Sequence, residues 1–210
     1  MISADKKSLL MFVIFISNVF SQSTLQQQFD LANKLFGEEK YFEVITELKR
    51  LQYFDKENQY TFQSNLLIGK SYKAGAKFDD AIKYFVIAEM NAANDDDYFA
   101  SKILNARTNI LRRTTKQAER ILNDLMDDSK FISKIKETKY WQGWTHIFSD
   151  EWDKAYEMFA TDNIDTALAS FCKNIDEEMY NEKFAKYSSY LIPGLGQFYT
   201  GEYVSGALSL

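Results

Sequence analysis

Sliding the chain along itself by 37 residues brings four segments into register. Val44, Ala81, Ala118 and Ala155 form one column, and Leu48, Phe85, Leu122 and Phe159 follow four residues later. A third column of small residues reads Ala32, Gly69, Ala106 and Gly143. A fourth, Tyr41, Phe78, Thr115 and Trp152, is aromatic in three of its four rows. Small residues let two helices approach closely, and the large apolar column is expected to fill the gap between neighbouring pairs. A fixed period of this length leaves one main class of fold, an array of small units that share a core with their neighbours. Such arrays present extended binding surfaces rather than catalytic pockets.

Composition supports long helices. Proline occurs once in 210 residues and glycine eight times, so little interrupts a helix. Hydrophobic residues at 46% and aromatics at 16% suffice for a core, which excludes a disordered chain. A formal charge of −5 argues against a protein that lives on phosphate-backbone contacts. The lone cysteine, Cys172, excludes an internal disulfide and a multi-cysteine zinc site. It is expected to be a buried thiol on an apolar helix face. A nucleophilic cysteine would need a histidine; the only one, His146, stands in a core column of the repeat.

The second repeat reads Ile68-Gly69, Tyr72, Ala81, Phe85 and Ala88. It resembles the tetratricopeptide (TPR) pattern L-G-x-x-Y…A-x-x-x-F, whose usual length is 34 residues. The fourth repeat keeps Gly143, Trp152, Ala155 and Phe159, with His146 where Tyr72 sits. The first keeps Leu31, Ala32, Tyr41, Leu48 and Leu51, and the third is the most worn, with Asn105 and Asn109 at usually apolar or aromatic positions. The period is three residues longer than usual, and the closing proline is replaced by Ala93 and Asp128. The resemblance covers about residues 25–162 and implies an all-α, right-handed helix-pair solenoid.

Within each pair the expected turns are Gly37-Glu38-Glu39, Gly75-Ala76-Lys77, Arg112-Arg113-Thr114 and Ser149-Asp150-Glu151. Between pairs lie acidic connectors: Asp55 to Asn58, Asn94 to Asp97, Asp127-Asp128 and Asp162-Asn163. Asp and Asn suit these places because their side chains accept from the free N–H groups of the next helix. Asp95–Asp97 lacks the glycine and distal glutamate of a calcium loop and reads as a cap. The four pairs occupy 22–162. Residues 163–187 continue as an additional or capping helix, with Ile164, Leu168, Phe171, Ile175 and Met179 at helical spacing.

The two ends differ in character. Residues 1–21 read as a signal peptide, with Lys6 and Lys7 before an apolar run from Leu9 to Ile16 and Ser21 before a cut at Gln22. That apolar run is too short to span a bilayer. Residues 188–210 are rich in glycine around the sole proline. Pro193, Gly194, Gly196, Gln197, Tyr199 and Gly201 form a P-G-x-G-Q-x-Y-x-G segment that resembles TM2-like small bacterial membrane proteins. The resemblance implies a membrane-associated segment, and Val204–Leu210 alone is too short to span.

No catalytic constellation is present: there is no P-loop, no H-E-x-x-H and no Ser/His/Asp set that one histidine could serve. No cofactor or metal site is expected. In TPR-like arrays the first helix of each pair lines the concave face. There Asn33, Lys70, Arg107 and Trp144 share one column, and Phe36, Lys73, Ile110 and Ile147 another. Tyr140 heads a third with Phe29, Leu66 and Ile103. Asn33, Lys70 and Arg107 resemble the carboxylate clamp of peptide-binding TPRs, whose further lysines are here Phe29 and Ile103. The candidate peptide site is thus Asn33, Lys70, Lys73, Arg107, Tyr140 and Trp144. Tyr140, Trp141 and Trp144 also suit core packing against Phe148 and Trp152. The reading is a non-catalytic scaffold of the bacterial envelope, periplasmic or membrane-associated. It takes a protein or peptide partner, acidic or with a free C-terminus, and no nucleic acid. The alternative is an accessory periplasmic domain of an integral membrane protein.

Overall fold

A computed structural model describes residues 25–178, and among these every regular element is helical, with no strand. The helices are α1 (25–37), α2 (Tyr41–Phe54), α3 (Thr61–Ala74), α4 (Phe78–Met90), α5 (Asp95–Leu111), α6 (Thr115–Asp127), α7 (Ile135–Ile147), α8 (Trp152–Ala160) and α9 (Thr166–Glu178). Single 3₁₀ segments at Ser129–Lys134 and Thr161–Asn163 precede α7 and follow α8. No described helix is long and apolar enough to cross a membrane. The expected leader, the Gly-rich segment with Pro193 to Gly201, and residues 179–187 of the additional helix lie outside the described residues. The chain divides into two compact units, residues 1–112 and 113–210.

The period is written into the backbone. Glu39, Ala76, Arg113 and Asp150 all take left-handed φ, between 55° and 65°, and each stands 37 residues after the last. In three of these turns the bonding is that of a Schellman motif. Glu39 N–H donates to Phe36 and Lys40 N–H to Leu35, Ala76 to Lys73 and Lys77 to Tyr72, and Asp150 to Ile147 and Glu151 to His146. The next helix then opens on a bond in the same register: Val44, Ala81, Ala118 and Ala155 donate to Lys40, Lys77, Thr114 and Glu151. Glycine is the usual residue at a left-handed cap, because a β-carbon there costs about 1–2 kcal/mol. None of the four left-handed positions holds it. Ala76→Gly is therefore expected to raise stability by about 0.5–1 kcal/mol, less than the steric cost because glycine also loosens the unfolded chain. Chemical denaturation of the pair checks this, and an unchanged or lowered midpoint would count against it.

The acidic connectors take up backbone N–H groups near helix starts, and at α5 one is a true cap as expected. Asn94 accepts from Asp97 N–H at 2.8 Å, with three aspartates in the first turn of α5 favoured by the helix dipole. Asp55, itself buried, accepts from Gln59 and Tyr60 ahead of α3. The last connector differs. Asp162 and Asn163 both take left-handed φ and end α8 after nine residues, and Asp165 does the capping, accepting from Leu168 N–H.

All members of the Val44 and Leu48 columns are fully buried, and Gly69 and Gly143 are buried on α3 and α7. The large column does more than the spacing suggested. The Phe85 ring lies on Gly69 of its own pair, so close that a β-carbon on Gly69 would fall 2.6 Å from Cε1. Phe159 lies on Gly143 in the same way, at 2.5 Å from Cζ. Phe85 and Phe159 thus reach into their own pairs, while Leu48 and Phe159 also pack on the helix that follows. In the first unit Ala32, Val44, Leu48, Leu67 and Ile68 form one cluster, edged by Phe29, Tyr72 and Tyr84. In the second, Ala155, Phe159, Ala169 and Cys172 form another, joining α7, α8 and α9. Cys172 is buried as expected, and burial pushes its thiol up. Phe171 is not: it is half exposed beside the Trp152 ring, and Ala169, Cys172 and Ile175 make the inner face of α9.

Candidate functional site

Lys70 and Lys73 are one turn apart on α3, and residues at that spacing share a helix face. Arg107 is on α5, 37 residues after Lys70. Lys73 is half-buried, and its ammonium is held below the ordinary lysine range. Burial is the main cause; the charges of Arg107 and Lys70 add to it. Of the three cations named from the register, Lys73 thus feels the charge of the other two, all within the first unit. Among the described residues neither Lys70 nor Lys73 has a carboxylate partner.

The contrast with other lysines is instructive. Lys102, also on α5 and largely buried, binds Glu89 of α4 at 3.0 Å and leans on the Tyr98 ring. Burial alone would lower it, but the hydrogen bond to Glu89 more than compensates and raises it. Lys139 finds Asp162 at 3.6 Å. At Lys102 and Lys139 a shielded ammonium has an acid, as the cost of an unpaired charge away from water demands. Lys73 is given two more cations.

The remaining candidates fall elsewhere. Asn33 is exposed, and its amide donates to the Phe29 carbonyl of its own helix at 3.1 Å. Tyr140 and Trp144 belong to the second unit and are half-buried, edge-to-face on Phe159 with centroids 5.7 and 6.5 Å away. Their rings wall the second core.

His146 is buried, and its Nδ1 lies 2.7 Å from a Glu151 carboxylate oxygen, whose other oxygen accepts from Lys154 at 2.8 Å. Glu151 is held below the usual carboxylate range by Lys154 first and His146 second. An acid so placed is ionised at neutral pH and ties the start of α8; a general acid needs the opposite shift. Among the described residues no group of His, Cys, Asp and Glu comes together that could hold a metal ion.

Sequence reasoning missed two columns. Ser64, Ser101 and Thr138 are buried at 37-residue spacing, and so are Ser71, Thr108 and Thr145. Most bond the carbonyl four residues back, as Ser71 does to Leu67 at 2.9 Å and Thr145 to Trp141 at 2.9 Å. With its hydroxyl satisfied by its own helix, a small side chain lets the preceding helix approach. The signal was the register itself. Polar bonds cross the same contacts, from Gln52 on α2 to Ser64 at 2.9 Å and from Gln142 on α7 to Asn123 on α6 at 2.6 Å.

Comparison with protein-family models, curated proteins and solved structures returns no match.

Proposed function

We propose that this chain is a non-catalytic, TPR-like solenoid exported to the bacterial cell envelope, where it holds a protein or peptide partner on the face lined by its first helices. The observation that carries the reading is the cationic trio Lys70, Lys73 and Arg107, in which two ammonium groups lack an acid among the described residues on a chain whose net charge is −5. The backbone period of left-handed turns supports the repeat array, and the leader-like residues 1–21 support export. Ammonium groups without an acid, as at Lys70 and Lys73, attract carboxylates by charge-assisted hydrogen bonds.

A second reading keeps the same array as an accessory domain of an integral membrane protein. It is favoured by the P-G-x-G-Q-x-Y-x-G residues from Pro193 to Gly201.

The test is charge reversal. Lys70→Glu with Arg107→Glu is expected to weaken capture of a peptide ending in acidic residues by about tenfold or more. Helical signal and melting temperature should stay nearly unchanged, because surface charges contribute little to stability. Wild-type capture should also weaken with salt, which screens exposed charges over about 8–10 Å. Equal capture by both proteins, measured by fluorescence anisotropy, would leave the trio as ordinary surface.

A further inference from the structure

We propose that the outer face of α2 rests on an anionic lipid surface, with Phe42, Tyr53 and Phe54 set among the headgroups. α2 is the second helix of its pair, so this surface is not the one proposed for a peptide. Phe42 is 79% exposed, Tyr53 69% and Phe54 55%, although aromatic side chains of this size usually dominate a core. At about 100° per residue, Phe42, Thr46, Lys49 and Tyr53 fall within about 60° of one another round α2. All four are exposed, and Phe42 stands about 16 Å along the axis from Tyr53. The Tyr53 and Phe54 rings meet edge-to-face with centroids 5.1 Å apart, and the Lys56 ammonium lies 4.7 Å from the Tyr53 ring centre. The next second helix ends alike: Met90 of α4, 37 residues after Tyr53, is 80% exposed.

Charge complementarity names the occupant. Lys49 donates to the hydroxyls of Tyr72 and Tyr84, neutral groups that leave its charge uncompensated, and Lys56 sits over a neutral ring. Arg50 is paired with Glu47 at 3.9 Å and is not counted. Glu43 and Glu47 lie on the flank, about 100° or more round the helix from Phe42, and Glu57 accepts from Gln59 at 2.7 Å. A protein partner needs a contiguous apolar centre from which water is excluded. Here a hydroxyl and an ammonium separate the aromatic ends. A headgroup layer suits that pattern: rings enter its apolar boundary while lysines reach anionic lipid.

The experiment is co-sedimentation of the full chain with vesicles of phosphatidylcholine, alone or mixed with phosphatidylglycerol. About tenfold more chain is expected on the anionic vesicles. Phe42→Ser with Tyr53→Ser and Phe54→Ser should lower that partition by about tenfold or more. Lys49→Gln with Lys56→Gln should reduce the anionic preference to about threefold or less. Ile132→Ser, at a similarly exposed apolar residue of the second unit, should change neither. Every variant keeps both chain ends, so binding through those ends would survive the serine changes. Circular dichroism confirms that each variant is folded. Independently, a polarity-sensitive fluorophore on Thr46→Cys, with the native Cys172 buried, should shift its emission to the blue on anionic vesicles.

A serine variant that partitions like the wild type, or an unshifted fluorophore, overturns the proposal. So does a wild-type chain that binds neither vesicle. A wild-type dimer in sedimentation velocity that the serine changes dissolve, with no partition onto vesicles, overturns it in favour of a face that joins two copies.

Discussion

Truncating Phe159 to alanine is expected to destabilise the second unit by about 3–5 kcal/mol, the range for removing a fully buried aromatic ring. The ring is wholly shielded from solvent, lies on Gly143, and supports Tyr140 and Trp144 edge-to-face. The residue directly opposite is a glycine, with no side chain to swing into the space. The molecule supplies its own reporter. All three tryptophans, Trp141, Trp144 and Trp152, fall in the second unit, so their emission follows its unfolding separately from the first. A denaturation midpoint by tryptophan emission that moves by less than about 1 kcal/mol would mean the ring is not the keystone of α7 and α8.

Gly69→Ala should destabilise the first unit by about 1–3 kcal/mol, although alanine is the better helix former by about 1 kcal/mol. The added methyl would fall 2.6 Å from the Phe85 ring, too close for a ring that is itself fully buried to yield cheaply. The remedy is in the other rows: the small column alternates Ala, Gly, Ala, Gly while the large one alternates Leu, Phe, Leu, Phe. Each row trades volume across its pair. Gly69→Ala combined with Phe85→Leu reproduces the combination of Ala32 with Leu48. The double variant should then recover most of the loss, with a coupling of about 1 kcal/mol or more in a double-mutant cycle. Additive losses, read from hydrogen exchange in α3 and α4, would show that the two columns do not meet as described.

Much of this packing was legible before any coordinates, because period and volume are properties of the sequence. The turns at Glu39, Ala76, Arg113 and Asp150 fell where spacing put them, Asn94 caps α5, and Asp55 accepts backbone N–H groups ahead of α3, as their chemistry suggests. What the sequence concealed depends on partners. The spacing of Phe85 did not tell whether its ring served its own pair or the next, since a helix face looks the same from either side. The hydroxyl columns were overlooked because serine and threonine read as surface unless one knows that their own helix satisfies them. On α9 the helical spacing put Phe171 and Ile175 on one face, but only Ile175 is buried, and the inner face runs through Ala169 and Cys172. Of the candidate site, register brought Lys70, Lys73 and Arg107 together. The lack of an acid beside Lys73 is a fact of folded neighbours and could only be seen in them.

The short reach of the packing has a kinetic consequence. Gly69 meets Phe85, and Gly143 meets Phe159, across only sixteen residues of chain. Closing so small a loop costs little entropy, and that cost grows only slowly with loop length. Contacts this local belong to fast-folding topologies. Each hairpin can begin on its own, with no distant segment to wait for, and the order of events is then set by which pair has the better-filled interior.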